Sequence, residues 1–293
     1  MTDDIPKLRL APPETAQELA HRCEREHRSA ALQREANLAQ SPAPFRIGSV
    51  RFLNAVPLTR GIEDQVLFAT PSELAAMLQR AELDAALVSV TEPLLRGCYD
   101  ILDGVAIASL GEVKSVFLAH RGPIQGPLEV FCDRASLTSV SLLRVLLAER
   151  GVNARFKPLP SYDFAALPDY TLLIGDTALD FSLAPHSHQI WDLGAAWHEL
   201  TGLPFVYAVW ALRRGLENAP LRRQLSQARQ LGLDTLDSIV RNRAEYDYDF
   251  RKDYLGWHIH YHLGADEKRG LGRFAELLRK HGLGPVFEPC YVV

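Results

Sequence analysis

Apolar and polar positions fall into blocks along this chain, and the blocks read as β–α units. Residues 46–53 begin the pattern. Ile47, Val50 and Leu53 are apolar and Gly48 and Ser49 are small, which suits a strand buried on both faces. Pro57 follows. A residue without an N–H fits the first turn of a helix, so a helix is predicted near 56–62. A short strand is predicted at 66–69. Thr70-Pro71-Ser72-Glu73 then opens a helix over about 71–82, with a capping box and Pro at its first position. The run LDAALVSV at 83–90 reads as a buried strand, and Thr91-Glu92-Pro93 as the start of a short helix. Two β–α units in succession predict a parallel sheet with helices on its faces.

The pattern continues with strands at Ile107–Ser109 and Ser115–His120. Gly122-Pro123 and Gly126-Pro127 then punctuate the chain as a lobe boundary would. The rhythm restarts at Leu128–Phe131, followed by hydroxyl-rich residues at 136–141 and a helix to about 150. Further strands are predicted at Tyr170–Asp176, Trp191–Gly194 and Phe205–Leu212, with a helical turn at Ala195–Leu200. Pro220–Gly232, Leu233–Tyr246 and Ala265–His281 have helical periodicity. Asp234 is the expected N-cap of the second, and Gly282 closes the third. Residues 1–45 stand apart. Glu14–Gln40 has a helical composition with thin apolar content, ended by Pro42 and Pro44, and reads as an N-terminal helical extension without chemistry of its own.

Composition narrows the function. A chain of 293 residues is long enough for two cores, and 47% hydrophobic residues is ordinary for a globular protein. The net charge of −4, from 32 basic and 36 acidic residues, offers no general attraction to nucleic acid or an anionic membrane. Cys23, Cys98, Cys132 and Cys290 are scattered, so neither a zinc framework nor a disulfide framework is expected and a reducing compartment fits. No apolar run is long enough for a membrane span. The N-terminus lacks a basic region followed by an apolar core, so no secretory signal is expected in the chain as given.

Few residues invite chemistry. Asn54, at the predicted carboxyl end of the first strand, lies where open α/β sheets bind ligands. Its amide both donates and accepts, so it can position a polar ligand or cap the next helix. Ser136, Thr138 and Ser139 place three hydroxyls at a helix start, where free N–H groups favour a carboxylate or phosphate; capping by one of them is the simpler alternative. Asp176 follows Ile174-Gly175 and is a candidate general base, helix cap or hinge partner, with the structural roles weighing more. His258, His260 and His262 alternate, but no carboxylate or Cys flanks them at ligand spacing. A row of solvated or partly buried imidazoles is expected, and no metal site. Trp197, Trp210 and Tyr207 are expected in core and hinge packing. No P-loop, GxSxG or GxGxxG motif is present.

Four segments together resemble a known family. RIGSVRFLNAVPL, SELAAMLQRAELDAALVS, LLIGDTAL and DLGAAWHELTGLPFVYAVWALR are similar to the chorismate dehydratase family of the futalosine route to menaquinone. The resemblance runs from about Arg46 to the C-terminus, and the DLG–AW–E–TGLPFV–AVWA segment is its most specific part. It implies an α/β, two-lobed fold of the periplasmic-binding-protein type (type II) with two crossing strands, Ser115–His120 and Phe205–Leu212. The first lobe would comprise residues 46–121 and 206–293, and the second residues 122–205. The implied reaction eliminates water from chorismate, giving 3-[(1-carboxyvinyl)oxy]benzoate without a cofactor. Asn54 matches the family's active-site Asn and Ser115 its active-site Ser, so both are expected to be catalytic. Ser136, Thr138 and Ser139 match the hydroxyl-rich turn of the second lobe, where Leu137 stands in a position associated with a polar or basic residue in relatives. These three, with Ser89 and Asp176, are the expected substrate contacts.

The matched positions are Asn and Ser, which hold carboxylates well and are poor bases. The expected mechanism therefore orients and desolvates the substrate between the lobes, and a substrate carboxylate accepts the proton. A cytoplasmic monomer or homodimer acting on a small molecule follows, with no nucleic acid or membrane partner. Two rivals share the fold: a solute-binding protein of a transporter, and the sibling enzyme that forms a dihydroxynaphthoate from cyclic dehypoxanthinyl futalosine.

Overall fold

A computed structural model describes residues 45–132 and 137–293. The predicted N-terminal helix and Ser136 lie outside the described residues. The first β–α units are β1 (Ile47–Ser49), β2 (Val66–Phe68), α1 (Pro71–Gln79), β3 (Ala85–Ser89), α2 (Thr91–Arg96) and the long β4 (Tyr99–Ser109). There follow β5 (Val116–His120), β6 (Leu128–Cys132), α3 (Leu137–Glu149), β7 (Ala154–Pro158), β8 (Tyr170–Ile174), α4 (Gly175–Leu183), β9 (Gln189–Asp192) and α5 (Leu193–Thr201). The chain ends with β10 (Phe205–Arg213), α6 (Ala219–Asp234), α7 (Leu236–Asn242), α8 (Tyr248–Asp253), α9 (Ala265–Lys280) and β11 (Tyr291–Val292).

The strands form two mixed sheets, in the orders β11-β4-β10-β3-β1-β2 and β7-β6-β8-β5-β9. Each sheet takes in one antiparallel strand. β10 runs between β3 and β4, with Val209 opposite Val88, and β5 runs between β8 and β9, with Phe117 opposite Leu173. These are the two strands expected to cross between lobes. β5 has ladder partners on both sides in the second sheet and β4 lies in the first, so the chain passes between sheets at 110–115. The Gly/Pro pairs lie in the loop between β5 and β6. The chain returns to the first sheet at β10, which starts at Phe205.

Local chemistry explains most elements. Thr70 Oγ1 accepts from Glu73 N at 3.4 Å while Glu73 Oε2 accepts from Thr70 N at 3.0 Å, the capping box expected for α1. The first strand is shorter than its apolar pattern, because its partners β2 and β3 offer no register beyond Ser49. The chain then turns into a 3-10 helix, Leu53–Thr59, with Pro57 inside it. α6 and α7 break at Thr235, and Asp234 accepts from Gln230 instead of capping α7. Gly232 lets α6 lie directly on that 3-10 helix: a Cβ there would sit 1.8 Å from the Pro57 carbonyl oxygen.

Of two apolar clusters, the smaller, around Phe117, Leu173 and Phe181, belongs to the second sheet, and the larger runs through both sheets. At its centre Trp197 of α5, Phe205 of β10 and Phe274 of α9 meet edge to face, with ring centroids 5.0–6.0 Å apart and every ring buried. Trp197 and Trp210 are fully buried, as expected of core residues. Among the described residues no helix is long and apolar enough to cross a membrane.

Candidate functional site

The carboxyl ends of parallel strands from both sheets converge on one cleft. Val50, Phe52 and Asn54 follow β1, Ser89 ends β3, Leu137, Thr138 and Ser139 follow β6, and Ile174 and Gly175 follow β8. This is the strand-end position where open α/β sheets bind ligands, reached here from two sheets at once. The cleft is half open to solvent, and its empty space, open solvent included, is about 650 Å³. Its walls are mostly apolar.

Asn54 lies in the first turn of the 3-10 helix and is 9% exposed. Its Nδ2 donates to Tyr254 Oη at 3.1 Å, and its Oδ1 is buried without a partner. Tyr254 is fully buried at the start of a π-helical turn, Tyr254–His258, an element frequent at functional sites. A phenol both donates and accepts, so Tyr254 can hold either end of the amide and turn the other toward a ligand. Burial drives the Tyr254 pKa well above the ordinary phenol value, with the Ser115 and Asn54 side chains pulling it back, so the group stays protonated.

Ser115 is 1% exposed, and its Oγ closes no hydrogen bond of normal geometry. Its place is set by the backbone. Asp192 accepts from Val113 N at 3.1 Å and from Lys114 N at 2.8 Å, and caps α5 through Ala195 N at 2.9 Å. Ser115 N donates to Val113 O at 2.8 Å, closing a three-residue turn with Lys114 at φ +63°. That is a strained conformation for a residue with a side chain, of a kind concentrated at functional sites. Gly175 N in turn donates to Ser115 O at 2.8 Å. Gly175 itself has φ +59°, and a Cβ there would press on Phe52 at 3.0 Å.

The hydroxyls bridge the lobes. Ser89 of β3 hydrogen-bonds Thr138 of α3 and, at 2.7 Å, Thr91. Thr138 and Ser139 are buried at the start of α3 and line the cleft with Ser89. Leu137 is 43% exposed and lines it too. Asp176 does not line the cleft. Its Oδ1 accepts from Leu53 N at 3.1 Å, tying α4 to the segment that bears Asn54. Burial pushes its pKa up to about 6, opposed by the Leu53 hydrogen bond and assisted by the charges of Asp180 and Glu245. Tyr207, expected in packing, also lines the cleft and shares a 3.0 Å hydrogen bond with Ser109. The described lining residues include no Lys, Arg, His, Cys, Asp or Glu. An anion here would be held by hydroxyls, the Asn54 amide and the N-termini of α3 and α4. The cleft offers no set of metal ligands among the described residues.

Tyr254 is the site residue that sequence reasoning missed. It stands 200 positions from Asn54, and no local pattern marks it.

A family model described as menaquinone biosynthesis matches residues 45–280. The chain belongs to the menaquinone biosynthesis family. Among relatives of this family, a chorismate dehydratase of Thermus thermophilus is 33% identical over 273 residues, which is 84% of this chain and 99% of that protein. The fold is that of periplasmic binding proteins. Protein AF1704 of Archaeoglobus fulgidus superposes with a TM-score of 0.63 at 16% identity, covering 82% of this chain and 98% of that one. The periplasmic aliphatic sulphonate binding protein SsuA of Escherichia coli superposes at 0.55 and 16% identity, covering 86% and 94%. Both likenesses concern the fold alone.

Proposed function

We propose that this menaquinone biosynthesis family member is a chorismate dehydratase, a carbon–oxygen lyase that converts chorismate to 3-[(1-carboxyvinyl)oxy]benzoate in the futalosine route. Two unpartnered polar atoms, Asn54 Oδ1 and Ser115 Oγ, belong to side chains of one largely apolar cleft and carry this reading. The likeness to the Thermus thermophilus enzyme, over 99% of that protein's length, supports it.

In the proposed reaction the ring of the substrate packs on the apolar walls. Its carboxylates meet Thr138, Ser139 and Ser89 at the start of α3, and Asn54 and Ser115 hold the reacting end. None of the described lining side chains is a base of useful strength. Asp176, the nearest ionisable candidate from the sequence, is engaged with Leu53 and acts by joining the lobes. A substrate carboxylate therefore takes the ring proton. The C–H electron pair becomes a ring double bond, the C–O bond to the hydroxyl breaks, and the departing hydroxide takes up the proton that the carboxylate accepted and leaves as water. Aromatisation drives the step. The protein contributes orientation, water exclusion and neutral donors aimed at the developing charge. Cys98 and Cys290 are free thiols, in keeping with a reducing, cytoplasmic setting. A monomer or homodimer without a cofactor completes the proposal.

Incubating the purified chain with chorismate and following the mixture by mass spectrometry tests it. The expected result is a product lighter than chorismate by one water. Chorismate returned intact, or turnover of the cyclic futalosine derivative instead, overturns the assignment.

A further inference from the structure

The imidazole row at 258–262 gains in the fold what its flanks lack in sequence. Glu267 stands in the first turn of α9 and folds back over the row. Its side chain is only 4% exposed. Oε2 accepts from Gly264 N at 3.0 Å, and Oε1 lies 3.1 Å from His262 Nε2 and 3.8 Å from His260 Nδ1. One ligand atom from each residue falls within a 4.8 Å cluster. The two rings stack 5.3 Å apart at 17°. The platform is firm, because His260 and Ala108 of β4 exchange both backbone hydrogen bonds, at 2.8 and 2.9 Å. His258 is turned elsewhere, with Nδ1 2.8 Å from the Glu112 carbonyl. The spacing that argued against a carboxylate missed Glu267 because helix capping, rather than a strand or helix period, brings it back.

The Glu267 carboxylate faces imidazoles and a backbone N–H rather than a Lys or Arg among the described residues. A buried carboxylate needs a compensating cation. Among the described residues no Lys or Arg pairs with Glu267, and the adjacent Lys268 is committed to Asp103 at 2.7 Å. His260 Nδ1 is buried without a hydrogen bond. An imidazole nitrogen and a carboxylate oxygen that face one another can both donate to one cation. Metal–ligand bonds of about 2.0–2.1 Å place tetrahedral ligand atoms roughly 3.3–3.4 Å apart. The separations of 3.1 and 3.8 Å bracket that edge.

We propose that His260, His262 and Glu267 bind one divalent transition metal ion of the zinc class, with solvent in the fourth position. Two imidazoles select zinc-like ions over calcium or magnesium, which prefer all-oxygen shells. The half-exposed His262 gives the ion its entry path. The ion would tie the segment after Tyr254 to the start of α9, away from the cleft.

The test uses the full, tag-free chain stripped by a chelator. Zn²⁺ is titrated calorimetrically, and Co²⁺ is titrated with its visible d–d absorption as readout. One equivalent of each is expected to bind, with the melting temperature rising as Zn²⁺ is added. His262→Ala, at an exposed position, should fold normally, weaken Zn²⁺ binding by at least ~10-fold and erase the Co²⁺ bands. Glu267→Gln should act in the same direction. His281→Ala, which alters the separate His281–Glu149 pair, should leave binding unchanged. No stoichiometric binding to the parent chain, or binding equal in the parent and in His262→Ala, overturns the proposal.

Discussion

Ser115 owes its position to the backbone around it, and its hydroxyl closes no hydrogen bond of normal geometry, although it lies near enough to the Tyr254 phenol to lower its pKa. Substitution by Ala removes no hydrogen bond of normal geometry, so the melting temperature should hardly move. Turnover of chorismate should fall about 10-fold or more under the role proposed for this hydroxyl, a donor to the reacting molecule. Values of kcat and KM both within roughly twofold of the parent would remove Ser115 from the site. Tyr254 poses a different problem. Its hydroxyl holds the Asn54 amide at 3.1 Å, so Tyr254→Phe leaves a buried amide group short of a partner, at about 1–3 kcal/mol of stability. If Tyr254 acts through Asn54, its effect on kcat should vanish in the Asn54→Ala background, where activity is already down by about 10²–10³. Additive losses in the double variant would give Tyr254 a role independent of Asn54.

At the scale of elements, the sequence announced whatever rests on local pattern. The capping box of α1, the buried run of β3, the restart at β6 and the carboxyl-end placement of Asn54, Ser89 and the α3 hydroxyls were all legible from period and turn chemistry. What depends on a distant partner was not. β1 stops at Ser49 because its neighbours stop there. β5 joins the second sheet because β8 and β9 flank it. Tyr254 and Glu267 reach their contacts through the path of the C-terminal segment. Asp176 also acquires its role only in the fold, as the link from α4 to Leu53, and there its titration becomes a property of the junction. Its pKa is raised, from an ordinary 3.8 to about 6 in the folded chain. Below about pH 4 both states hold the proton and the shift has no effect on stability. As pH rises from about 4 to 6 the unfolded chain ionises first, so stability is lost, by at most about 3 kcal/mol above pH 6. Asp176→Asn keeps an oxygen for Leu53 N and removes this loss. Urea denaturation should show the variant equal to the parent near pH 4 and more stable at pH 7. An equal difference at both pH values would place the cause outside Asp176.

At the scale of the whole molecule, the two lobes are joined by more than a pair of linkers. Lobes that share only a polar interface move freely, whereas a large apolar one couples them. Here the Trp197–Phe205–Phe274 cluster brings together a helix after the second sheet, the returning strand of the first and the C-terminal helix. α9 also reaches α3, where Glu149 meets Lys280 at 2.6 Å and His281 at 2.5 Å. Hydrogen bonds to Lys280 and His281 hold the Glu149 carboxyl below its usual range. The cleft thus lies between sheets that share a core, and ligand entry should need small displacements near Ser89 and Thr138 rather than wide separation. The same continuity governs unfolding. Calorimetry of the full chain should give one endotherm for residues 45–293, with calorimetric and van't Hoff enthalpies in agreement. Phe274→Ala should cost about 3–5 kcal/mol, since it opens a cavity among fully buried rings. It should lower that single transition as a unit, because the ring packs on both lobes at once. A second, separate endotherm in the parent would mean that the lobes fold independently and that the aromatic cluster does not couple them. A split appearing only in Phe274→Ala would instead identify this ring as the coupling element.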